Sequence, residues 1–290
     1  MTTNQKIHIL IYSFKHKKLK NNVLSIINNS KLNNFKISIV DQNPTNRESV
    51  FSEFPQVDSY VNVSWDSIKS PTVYKNMHIH DSDAEYLLLI SGDVELKSGW
   101  DQNLIDLLGV QDIAISGQGN LLLQQKDLFF LEQQRTSSLE LSLTNFIDSN
   151  FIFARRETLM NIEYPKDIKY FGENEIVSCS LYSCGTDIYS LPTDFYTDLK
   201  IRHLENYYTT MSLEHNYNLA VDILNGESNG YTRQFPTKRN ISMFLKFHDL
   251  KLDTLKKLPF QKNDVEYDPD GIKFLRSTPQ RFVDTTKVIS

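Results

Sequence analysis

The chain has 290 residues, 40% of them hydrophobic, with a formal charge of -5 and a pI near 5.8. That apolar content is enough to bury one large domain, or a domain with an appendage, and it excludes a largely disordered chain. The acidic net charge excludes the global basic surface on which nucleic-acid binding relies, leaving room only for a local groove such as the Lys-rich residues 15–20.

Two cysteines, Cys179 and Cys184, are too few for a disulfide framework, and their spacing matches no zinc pattern. Lys6 and His8 interrupt the early apolar segment, and no run of about 18 apolar residues occurs. Neither a signal peptide nor a spanning helix is expected, and a cytoplasmic location is the default.

Residues 7–12 read as a first strand, Ser13 opens a loop, and residues 21–27 carry apolar side chains at helical spacing. Strand, loop and helix in that order open a Rossmann-like unit. A second strand at 35–40 ends in Asp41-Gln-Asn-Pro, where a carboxylate can either receive a base or ribose hydrogen bond or cap a turn. Residues 61–65 form a short third strand. Ser70 and Pro71 then supply the N-cap and first position of a helix whose amino end, with Lys75, suits an anionic ligand. Asp81 and Asp83 have the spacing of a metal pair but precede the next strand, and they read as a turn.

Leu87 to Ile90 form an unbroken apolar run, the pattern of a central strand covered on both faces. It ends in Ser91-Gly92-Asp93. Ligands of open α/β sheets bind past the carboxyl ends of strands, and a carboxylate there can hold a divalent cation that neutralises a diphosphate. Taken alone, the same tripeptide is ordinary turn chemistry.

A helix at 101–108 and a strand at 112–116 continue the alternation. Residues 120–143, rich in Leu and Gln, read as strand-loop-helix or as a flap. A strand at 145–153 precedes a helix starting at Arg155. A helix over 174–184 is stopped by Gly185, a short strand covers 187–192, and residues 198–203 lead to His203. Helices are expected at 212–224 and 241–247, and from residue 262 the pattern fades into a loosely packed tail.

The order of these pieces resembles a GT-A glycosyltransferase, and more particularly glycosyltransferase family 60, the cytosolic polypeptide α-GlcNAc-transferases acting on hydroxyproline. The resemblance rests on six segments: Tyr12-Ser13; Ser91-Gly-Asp93 followed by Gly99-Trp-Asp101; Asn150-Phe-Ile-Phe153; Phe171-Gly-Glu-Asn174; Gly185-Thr-Asp-Ile-Tyr-Ser-Leu-Pro192; and His203, with Thr232-Arg233 beyond it. The family's metal motif carries a second ligand where this chain has Ser91, and its second acidic residue is Asn174 here.

The resemblance implies an α/β GT-A fold, with a mixed, mostly parallel sheet in a catalytic domain over 1–210 and a C-terminal helical extension over 211–290. It implies a retaining transfer of GlcNAc from a UDP-sugar to a protein or glycan hydroxyl, with Mn²⁺ or Mg²⁺ held by Asp93 and His203. Tyr12, Ser13 and Asp41 would hold the uridine, Lys75, Ser91 and Gly92 would lie at the donor, and Glu173 or Glu175 would act at the reacting centre. Two other readings stand beside it: an inverting transferase acting on a glycan or modified nucleic-acid base, and a degenerate nucleotide-binding domain without turnover.

Overall fold

The computed structural model describes residues 6–14, 17–63, 71–117, 119–125, 128–134, 141–144, 146–148, 150–165, 168, 173–192 and 195–198, with short pieces at 218–219, 221–222, 238–240, 243, 267–268 and 271–272. His203, Phe171, Thr232, Arg233 and most of the expected C-terminal helices and tail lie outside the described residues.

The chain alternates strand and helix through its first half: β1 (Ile7–Phe14), α1 (Leu19–Asn29), β2 (Phe35–Gln42), α2 (Glu48–Phe51), β3 (Val57–Val63), α3 (Pro71–Asp81) and β4 (Tyr86–Ser91). It continues with β5 (Val94–Leu96), α4 (Trp100–Leu108), β6 (Ile113–Ser116), β7 (Gly119–Gln125), β8 (Leu128–Gln134), β9 (Ser142–Thr144) and β10 (Phe151–Arg155). Then come α5 (Arg156–Met160), α6 (Glu173–Cys184), β11 (Asp187–Ser190) and β12 (Tyr196–Asp198).

Eight strands form one sheet in the order β3-β2-β1-β4-β10-β6-β11-β9. The pairs from β3 to β4, and β6 with β11, are parallel; β10 runs antiparallel to both its neighbours, and β9 runs antiparallel to β11. The central position expected for residues 87–90 is realised: every residue of β4 is buried. Leu88 and Ile90 join Ile9, Ile11, Val23 and Leu104 on the face covered by α1 and α4. Leu87 and Leu89 join Leu10, Ile79, Ile152 and Val177 on the face covered by α3, α5 and α6. A strand with helices on both faces has no polar side to show, which is why its sequence does not alternate.

Some expectations shift. Residues 120–143 hold no helix in their described part; β7 and β8 form a two-stranded hairpin with the register Gly119↔Gln134 to Gln125↔Leu128, the flap-like alternative. The strand expected at 145–153 begins only at Phe151, because Asp148 and Asn150 build a turn in front of it, with Asn150 N donating to Asp148 Oδ1 at 3.0 Å. The stop after α6 is as expected: Gly185 takes φ +91°, and the amides of Gly185 and Thr186 bond back to Tyr182 and Leu181.

Candidate active site

From β1 the chain builds outward through β2 to β3, then returns to place β4 on the opposite side of β1. The strand order reverses between β1 and β4, and a crevice opens at such a point beyond the carboxyl ends of the strands. Tyr12 and Ser13 stand just before Phe14, the last residue of β1; Ser91 ends β4, and Gly92 and Asp93 follow it. Tyr12 and Ser91 are register partners, and Gly92 N donates to Tyr12 O at 2.9 Å.

Helix α1 fixes this turn. Asn22 Nδ2 donates to Val94 O and, at 3.4 Å, to Ser91 O; Leu96 N donates to Ser25 Oγ at 3.2 Å; and Asn29 Nδ2 donates to Leu96 O at 2.6 Å. Positions 22, 25 and 29 share one helix face, so a polar stripe grips the segment carrying Asp93. On its other flank β5 pairs with β12, setting Asp198 opposite Val94.

Over Tyr12 lies a buried ion pair. Lys75 Nζ, on α3, donates to Glu173 Oε1 at the start of α6, and both side chains are buried. The ammonium stands 4.4 Å from the Tyr12 ring centroid and 5.2 Å from that of Tyr164. Burial first, then the charges of Glu173, Asp148 and Asp93 and the Tyr164 hydroxyl, raise the Tyr12 phenol well above its ordinary pKa, so these groups converge on one spot. Lys75 thus meets a carboxylate of its own chain at the place where the sequence suggested an anionic ligand.

Glu175 lies two residues further along α6, about 200° around the helix. Burial and the neighbouring Glu173 charge push its carboxyl up to about 7 against a weaker opposing backbone hydrogen bond, and its charge acts on Cys179. Only Glu173 joins the Tyr12–Lys75 group.

Among the described residues, three buried polar atoms in this region have no hydrogen-bond partner: Ser13 Oγ, Asp93 Oδ1 and the Tyr164 hydroxyl. Buried polar groups are almost always paired, so each is a place a ligand atom can fill. A carboxylate oxygen is the donor a hard divalent cation takes, so Asp93 fits one ligand of such an ion. Among the described residues no three His, Cys, Asp or Glu side chains group as a metal site.

Asp41 is buried and already engaged. Arg47 grips its carboxylate through Nε at 2.8 Å and Nη2 at 2.7 Å, and the Tyr60 hydroxyl donates to it at 2.9 Å. The Gly99-Trp-Asp segment is likewise turned inward. Trp100 Nε1 donates to Ile26 O at 2.9 Å, and Asp101 accepts from Ser30 Oγ and from the amides of Lys31, Leu32 and Gln102. Burial alone would raise the Asp101 carboxyl, but these bonds hold it below its usual range. Gly99, at φ +74°, makes the bend that lets α4 start there.

Sequence reasoning missed two members of the group. Asp148 precedes β10, its amide bonded to Ser116 Oγ at 2.7 Å; the turn formers at 148 and 150 were its signal. Tyr164 lies in the loop after α5, and no local pattern marks it.

No protein-family model and no curated protein sequence matches the chain. Solved structures with a similar fold include GalNAc-T7 with UDP, GalNAc and Mn²⁺, at a TM-score of 0.57 and 11% identity over 87% of this chain and 55% of that one. They also include S. aureus TarS 1–349 in complex with UDP-GlcNAc, at a TM-score of 0.55 and 12% identity over 79% of this chain and 68% of that one. TarS 1–349 without that ligand gives a TM-score of 0.54. The chain spans about half the length of the GalNAc-T7 chain. Both neighbours are GT-A glycosyltransferases. With helices on both faces of a mostly parallel sheet and a strand-order reversal at Tyr12 and Asp93, the chain has the GT-A fold.

Proposed function

We propose that the protein is a UDP-sugar glycosyltransferase that moves GlcNAc to an acceptor hydroxyl with the help of Mn²⁺ or Mg²⁺. The observation that carries this reading is Asp93 Oδ1, a buried carboxylate oxygen without a partner at the strand-order reversal of a GT-A sheet. The neighbours' UDP, UDP-GlcNAc and Mn²⁺ support the ligand class, and the order of motifs supports family 60, GlcNAc and a retaining outcome.

In this reading Asp93 and His203 would hold the ion, and the chemistry it would supply is Lewis-acid stabilisation of negative charge on the diphosphate leaving group. Ser91 and Gly92 present backbone to the diphosphate. Tyr12 and Ser13 floor the uridine site, and Asp41 acts there by holding Arg47 and Tyr60 at the end of β2. Lys75 holds Glu173 in place, and Glu173 accepts a hydrogen bond from the sugar or the acceptor hydroxyl. In a retaining reaction Glu173 orients; in an inverting one it takes the acceptor proton. Glu175, whose carboxyl burial pushes up to about 7, lies two residues further along α6.

Incubation with UDP-GlcNAc, UDP-GalNAc and UDP-glucose, each with Mn²⁺, tests this by UDP release. Release with at least one donor, lost in Asp93→Asn, is expected. Ser91, standing where a second ligand is expected, favours one other reading, a nucleotide-binding domain without turnover. UDP binding with no release from any donor would establish that reading and sink ours.

A further inference from the structure

Tyr164 is the largest polar side chain of the site that neither the sequence nor the proposed mechanism uses. It is fully buried, and its hydroxyl has no hydrogen-bond partner among the described residues. A phenol placed for packing alone costs less as phenylalanine, because a hydroxyl withdrawn from water without a partner lowers stability.

The surrounding residues hold Tyr164 firmly. Asn76, next to Lys75 on α3, clamps its backbone from both sides, Nδ2 donating to Tyr164 O at 2.8 Å and Oδ1 accepting from Tyr164 N at 2.8 Å. Lys75 Nζ sits over its ring. The Glu173 charge, after burial, raises the phenol's pKa, which keeps it a neutral O–H donor at any physiological pH. Two consecutive α3 residues therefore fix a hydrogen-bond donor beside the carboxylate assigned to the reacting sugar, and leave its hydroxyl unused.

We propose that the Tyr164 hydroxyl is a specificity-determining group that donates a hydrogen bond to a hydroxyl oxygen of the donor's sugar ring, opposite the bond Glu173 accepts. This assignment rests on the UDP-sugar reading above. A donor and an acceptor fixed on one ring distinguish sugars by the placement of their hydroxyls, since a sugar that leaves either group unpaired is rejected. The alternative source of an oxygen, the diphosphate, is separated by comparing UDP with UDP-GlcNAc.

The test is Tyr164→Phe, with binding of UDP and of UDP-GlcNAc measured by calorimetry in Mn²⁺ and thermal melting measured without ligand. The expected result has opposite signs: the ligand-free melting temperature is unchanged or higher, UDP affinity is unchanged, and UDP-GlcNAc affinity falls about tenfold. A lower ligand-free melting temperature would show that the hydroxyl serves the fold and overturn the assignment. So would an unchanged UDP-GlcNAc affinity, or an equal loss for UDP and UDP-GlcNAc, which would move the contact to the nucleotide. Failure of the unsubstituted protein to bind UDP or UDP-GlcNAc would overturn the donor reading and this assignment together, a result distinct from each of the others.

Discussion

Lys75 and Glu173 are the costliest pair in the site to keep, since both charges have left water. The attraction within such a pair offsets desolvation only while both members are present. Lys75→Met leaves Glu173 buried and unpaired and is expected to destabilise the protein by about 3–5 kcal/mol in urea unfolding. The double variant Lys75→Met/Glu173→Met is expected to recover most of that loss, because it removes both charges at once. A double variant no more stable than Lys75→Met would show that the pair supports the fold by more than mutual charge compensation. Keeping so expensive a pair beside Tyr12 fits a role in the chemistry, and pairing with Glu173 is why Lys75 is not a free surface cation.

Single elements serve two purposes at once. Helix α1 presents Val23 and Ile26 to the core and Asn22, Ser25 and Asn29 to the Asp93 turn. Helix α3 carries Lys75 and Asn76 at the site and His78 at its far end, where His78 lies against His8 of β1 with ring centroids 3.9 Å apart. His8 bonds Ser82 Oγ at 2.9 Å and Ser38 Oγ at 2.8 Å, while His78 Nε2 is buried without a partner among the described residues. Lys36 of β2, paired with Asp83, adds a positive charge nearby. Burial, His78 and Lys36 lower His8 to about 2; burial and Lys36 lower His78 to about 4, against a raising bond to His8.

Both folded values lie below the unfolded one, so the unfolded chain binds more protons as pH falls under about 6.5, and stability is lost over that range. The loss is up to about 1.4 kcal/mol per pH unit for each ring, down to pH 4 for His78 and lower for His8. Glu175 acts in the opposite sense between about 7 and 4.5, because its folded value is raised. The informative quantity is therefore the difference between proteins: His78→Phe is expected to lose less stability than wild type in denaturation from pH 7 to pH 5. Parallel curves would show that the pair takes up protons without leaving the fold.

At the scale of the molecule, β1, β4 and β10 are covered by both hydrophobic clusters, whereas β3 and β9 form the sheet edges. Amides of β1 and β4 are expected to exchange with solvent only through global unfolding, and those of β3 through smaller local openings. Equal protection of β3 and β4 in native-state hydrogen exchange would overturn that ranking. The site lies at the carboxyl ends of the best-protected strands, so a rigid base supports Tyr12 and Asp93, while the partners that close over them come from α3, α6 and the loop before α6.

How much of this the sequence carried depends on range. It determined β4 and its burial, the βα alternation, the start of α3 at Pro71 and the end of α6 at Gly185, because apolar runs, periodicity and turn chemistry act within a few residues. It also marked Tyr12, Ser13 and Asp93 as strand-end residues. It could not foresee that Asp41 would be gripped by Arg47 and Tyr60, that Trp100 and Asp101 would lock α4 to α1, that Lys75 would meet a carboxylate 98 positions away, or that Tyr164 would stand beside them. Apart from the Asp41–Arg47 pair, six positions apart, these are contacts between segments distant in the chain. Only the order of strands in the sheet, which no local propensity encodes, decided which strand ends share an edge and so which side chains meet.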